Sequence, residues 1–138
     1  MFDSTSPKLA AVLVAALLHW LFGALWFTVF KQQWLIGVGR TAEQLAALGQ
    51  PAWLPHVVTL FANFALAYVL GWLIPLTGKQ TVVHGVQVAA ILWVCVVASV
   101  FASVYVFEAR SLQIFAINTG YPLVGMLLMG IVLGAWKS

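Results

Sequence analysis

Few side chains in this chain can do chemistry: of 138 residues, six are Lys or Arg, three are Asp or Glu, three are His and one is Cys. Glu108 and Arg110 stand two residues apart, with Ser111 next, and Gln113, Asn118 and Tyr121 soon follow. An acid beside a base can form a binding rim that Asn118 extends inward. It can equally be a structural cap, with Glu108 accepting from the first amides of a following helix. A second grouping, His19, Asn63 and Ser99, lies deep within long apolar stretches. Brought together, these three would make a hydrogen-bonded cluster. It would act either as glue, worth about 1 kcal/mol or less per bond, or as a proton or substrate relay centred on His19.

Several chemistries lack their residues. There is no nucleophile with base and orienting partner, no Gly-rich phosphate loop and no carboxylate pair, which argues against hydrolysis and phosphoryl transfer, so no enzyme is expected. His19 falls about 15 Å into its helix, while His56 and His84 begin segments that enter from opposite faces, so the three do not converge. With no His-x-x-x-His pair either, neither a metal site nor another cofactor is expected. The single Cys95 reads as a small buried apolar residue rather than a disulfide partner or nucleophile. A net charge of +3 and pI near 9.4 arise from basic residues scattered one per segment end. They form no patch for nucleic acid and read as interfacial anchors.

The elements that must position these residues are long. Residues 9–30, 53–76, 82–107 and 112–136 contain no Asp, Glu, Lys or Arg. Each can cross a hydrocarbon core of about 30 Å as a helix. Composition agrees, with 64% hydrophobic and 7% charged residues and a mean hydropathy of +1.06. A soluble domain averages about 25% charged. The expected fold is all-α, a single polytopic domain of four transmembrane helices in a compact bundle with lipids as partners. Before the first span, Met1 to Lys8 is a short polar lead in which Ser6-Pro7 suits a helix start. That span is longer than the core of a signal peptide and lacks an Ala-x-Ala cleavage pattern, so it is expected to remain. Between spans one and two, Thr41-Ala-Glu-Gln44 has the capping-box pattern, with Gly49 and Pro51 as a stop, and predicts an interfacial helix at about 41–48. Trp34 and Trp53 flank it at headgroup depth. The other connections are tight, so spans two, three and four form antiparallel hairpins.

Orientation rests on a tie. Lys8, Lys79 and Lys137 fall on one side, and Lys31, Arg40 and Arg110 on the other. The expectation is a bacterial cytoplasmic membrane with both termini cytoplasmic; dual insertion is the alternative.

Polar groups in lipid need partners, so polar stripes should mark the inward faces. His19, Gly23 and Trp26 share a side of span one, and His56, Thr59 and Asn63 of span two. Cys95, Ser99 and Ser103 recur every four residues in span three beside Ala98 and Ala102, a face that can approach a neighbour closely. Asn118, Tyr121 and Gly125 share a side of span four, with Gly120, Gly130 and Gly134 roughly opposite. The Gly130/Gly134 face serves either packing within the chain or a second copy in a homo-oligomer. Pro122 lies within this run and predicts a kink, or the start of the regular helix.

Glu108-Ala-Arg-Ser-Leu, then Ile117-Asn118-Thr119-Gly120-Tyr121, and the ending Met129-Gly130-Ile-Val-Leu-Gly134-Ala-Trp136 resemble the small bacterial membrane proteins grouped as domain of unknown function 1761. Gly23-Ala-Leu-Trp26 and Trp34 match as well, so the resemblance covers nearly the whole chain. Members often continue the first motif with Tyr, Ser and Pro, where this chain has Phe27, Thr28 and Val29. The resemblance implies that Glu108, Arg110, Ser111, Asn118, Gly120 and Tyr121 form one motif, and assigns it no activity. The leading expectation is a small oligomeric transport or channel-like protein; the alternative is a non-transporting scaffold or lipid-binding accessory protein.

Overall fold

A computed structural model describes residues 7–136. The polar lead up to Ser6, and Lys137 of the charge tie, lie outside the described residues. The described chain is all-helical: α1 (Leu9–Val29), α2 (Lys31–Val38), α3 (Ala42–Ala46), α4 (Leu54–Thr77), α5 (Val82–Leu92), a π-helical turn (Trp93–Ala98), α6 (Ser99–Phe107) and α7 (Leu112–Ala135). Four helices, with α5 through α6 counted as one, are long and apolar enough to cross a membrane. The protein is thus a multi-pass membrane protein, and the spans fall within a few residues of those read from hydropathy.

The bundle is built around α7, which packs against α1, α4 and α5 and touches α2, α6 and the π turn. Small residues let the backbones close up. Ala11, Ala15 and Ala16 of α1 are buried, as are Gly71 of α4 and Gly85 of α5. Between them lie Leu70, Ile74, Met126 and Met129, each 1% exposed or less. Lipid tails are as apolar as these side chains, so such packing stabilises by contact and fit, with no expulsion of water to help.

The tightest seam joins α5 and α7. A side chain at Gly85 would collide with the Gly130 carbonyl, one at Gly130 with the Gly85 carbonyl, and one at Gly134 with the Thr81 carbonyl. Gly130 and Gly134 therefore serve packing within the chain, and this face is not free for a second copy. Gly120 looks elsewhere, with the Trp26 ring 2.9 Å from where its Cβ would stand.

The third span departs most from expectation. Only 6% of its apolar window is buried, against 28% to 39% in the other three. Cys95, Ser99 and Ser103 are exposed on the single chain. Two causes act together. The Ser99 hydroxyl donates to the Cys95 carbonyl and that of Ser103 to the Ser99 carbonyl, so neither needs a partner helix. The wider π turn at Trp93–Ala98 also interrupts the register of about 3.6 residues per turn from which an inward facing was read.

The long connection holds two helices where one was expected. Its second half has the expected capping box, in which the Gln44 amide donates to Thr41 Oγ1 and the Thr41 amide to Gln44 Oε1. The unforeseen α2 follows α1 after a break at Phe30 and is anchored to the bundle at two points. Trp34 packs edge-on against Phe27, and Gly37 lies close enough to Ile114 that a Cβ would stand 2.6 Å away. Gly39, at φ 79°, ends α2 in the left-handed region and turns the chain back towards Thr41.

Candidate functional site

The polar groups of the bundle gather along the first half of α7, on both sides of Pro122. Proline has no N–H, so the Asn118 carbonyl loses its helical donor and the ladder opens there. Indoles from two other helices reach the neighbouring carbonyls. Trp26 Nε1 of α1 donates to the Ile117 oxygen at 3.0 Å, and Trp93 Nε1 of the π turn to the Thr119 oxygen at 2.8 Å. A third indole, Trp20, donates to the His56 carbonyl at 3.0 Å and ties α1 to α4. Neighbouring helices commonly satisfy backbone groups near membrane prolines in this way. These indole ties escape a sequence reading that treats Trp as a headgroup anchor; the available signal was that Trp20 and Trp93 lie well inside apolar spans.

On one side of α7 lies a layer near the middle of the spans. Asn63 of α4, 5% exposed, donates through Nδ2 to the Tyr121 hydroxyl at 3.1 Å. The Tyr121 ring sits against Gly23 and stands 4.6 Å from the His19 ring, centroid to centroid. His19 is 1% exposed and seated on Gly125, where any side chain would occupy the imidazole's place. Among the described residues, neither His19 nitrogen has a hydrogen-bond partner. His19 and Asn63 thus share one layer, joined through Tyr121. Ser99 does not belong to it, being outward on the third span.

Towards the start of α7 lies a second set. Asn118 donates through Nδ2 to the Tyr105 hydroxyl at 2.7 Å, and the Arg110 guanidinium lies over the Tyr105 ring at 5.1 Å. Arg110 Nε donates to Glu108 Oε1 at 2.9 Å. The ion pair is exposed, with side chains 38% and 45% accessible, so its own contribution is small. Ser111, rather than Glu108, caps α7, accepting from the Ile114 amide. Gln113 faces outward and does not extend the rim.

The turn carrying this pair is strained. The Arg110 amide donates to the Tyr105 carbonyl and the Ala109 amide to the Val106 carbonyl, a Schellman closure of α6. Its left-handed residue is Ala109, at φ 55°, where glycine is usual and a Cβ costs about 1–2 kcal/mol.

The remaining polar side chains are structural neighbours of their own elements. His56 is exposed, off the inward stripe, and Thr59 bonds the Pro55 carbonyl. His84 Nε2 lies 2.9 Å from Thr77 Oγ1, whose proton goes to the Leu73 carbonyl, so the imidazole is the donor. Gln80 Nε2 donates to the Leu133 and Trp136 carbonyls and closes the end of α7. Among the described residues no three of His, Cys, Asp or Glu gather as metal ligands would.

Residues 10–134 match the family model described as Protein of unknown function (DUF1761), and the chain belongs to that family. No curated protein and no solved structure matches it.

Proposed function

We propose that the protein is a non-transporting, lipid-binding accessory or scaffold protein of a bacterial cytoplasmic membrane, with both termini on the cytoplasmic side. One observation carries this reading: the side chains a conduit would need are engaged with one another. Asn118 bonds Tyr105, Asn63 bonds Tyr121, and Arg110 is divided between Glu108 and the Tyr105 ring. A satisfied polar network of this kind rigidifies a bundle. The outward third span supports the same reading by leaving a long face to acyl chains or a membrane partner.

Purification from native membranes, with and without crosslinking, tests it. A defined partner or a retained lipid class is expected, and recovery of neither counts against it.

The two free nitrogens of His19 favour a second reading, a proton relay through His19 and Tyr121. Proteoliposomes decide between them. The accessory reading expects wild-type protein to give no more proton, cation or small-amphiphile flux than empty vesicles. Flux abolished by His19→Phe or Glu108→Gln would establish transport instead.

A further inference from the structure

At the far end of α1, the fold of the long connection leaves an open hollow of about 530 Å³ between α2 and α3. Lys31 and Arg40 line it together, brought round by the left-handed turn at Gly39. Glu43 is the one acid on its wall, and Leu35 and Ile36 form an apolar side, with Ile36 72% exposed. Among the described residues, Lys31, Arg40 and Glu43 make no ion pair, since the single pair is Arg110–Glu108. Two cations therefore share one cavity with a single acid and no ion pair among the described residues, and Lys31, two residues past the end of α1 at Val29, stands at headgroup depth. The α2 anchors on Phe27 and Ile114 fix this wall to the bundle.

We infer that the hollow is a phosphate site for the headgroup of an anionic phospholipid, in the leaflet opposite the termini, with Lys31 and Arg40 on the phosphate and Leu35 and Ile36 along the first acyl carbons. Arg supplies a planar fork of donors and Lys a point charge, a pairing suited to a phosphodiester. Glu43 opposes a dianion more than a monoanion, which favours a diester over free phosphate. This inference rests on the lipid-binding reading above and names its lipid class.

The test uses the full chain in phosphatidylcholine nanodiscs doped with phosphatidylglycerol, with retained lipid counted by native mass spectrometry. Wild type is expected to retain phosphatidylglycerol over phosphatidylcholine. Each of Lys31→Gln and Arg40→Gln lowers that preference about fivefold and the double variant about 25-fold. Glu43→Gln raises it, a gain that a misfolded protein would not give. Lys8→Gln and Lys79→Gln, on the opposite side, leave it unchanged. A double variant within twofold of wild type overturns the site, and retained lipid in that case leaves the broader lipid-binding reading standing. Binding of inorganic phosphate that depends on Lys31 and Arg40, with no lipid retained, keeps the site, assigns its occupant to solution and removes the lipid-binding reading.

Discussion

Tyr121 is where residue-scale contacts from three helices meet. It takes the Asn63 amide, lies against Gly23 and shares an aromatic contact with His19. A double-mutant cycle of Asn63→Ala with Tyr121→Phe, read by unfolding in detergent, is expected to give a coupling of about 0.6 kcal/mol and no more than about 1.7. Gly125→Ala places a methyl inside the His19 ring and is expected to destabilise by about 1–3 kcal/mol. The same substitution in a His19→Ala background should cost much less, because the imidazole is what it meets. Ala109→Gly runs the other way, relieving the left-handed strain and raising stability by about 1 kcal/mol. The shared layer of His19 and Asn63 was legible from rise per residue. Who bonds whom was not: Asn118 and Tyr121 lie on one stripe, yet Asn118 turns to Tyr105 and Tyr121 to Asn63. Only the relative rotation and height of neighbouring helices decide such pairings, and spacing along one helix carries no information on them.

At the scale of elements, α7 is held at its start by the Ser111 cap, beside Pro122 by two indoles and at its end by Gln80. These supports are separable. Gln80→Ala is expected to speed amide exchange at the end of α7 while leaving residues 117–121 and 123 unchanged, since the stretch around Pro122 is supported from other helices. Faster exchange at both places would mean that α7 opens as one unit. Hydropathy made the four spans legible, because length and freedom from charge are local properties. The π turn was illegible, since Trp93–Ala98 holds neither Gly nor Pro and reads as ordinary apolar helix. That turn interrupts the register on which the facing argument relied, and Cys95 within it and Ser99 and Ser103 after it lie outward instead of inward. α2 was missed because Lys31, Gln32 and Gln33 read as a polar connection; contacts of Trp34 and Gly37 with other helices hold it in place.

For the whole molecule, two features pull apart. The α1, α4, α5 and α7 bundle is closed by small residues and interhelical bonds, whereas α6 stands largely unburied beside it. Among the described residues, the buried side-chain polar groups of the closed part have partners, His19 excepted. The fate of water at Pro122 therefore separates an accessory membrane protein from a conduit. Hydrogen–deuterium exchange of the full chain in nanodiscs, followed at the amides of residues 117–121 and 123, measures this most directly. Slow exchange, comparable with the buried core of α4 around Leu70, is the result expected of a dry segment tied by Trp26 and Trp93. Fast exchange there, with the α4 core still protected, would mean that water reaches the polar layer and would contradict the account.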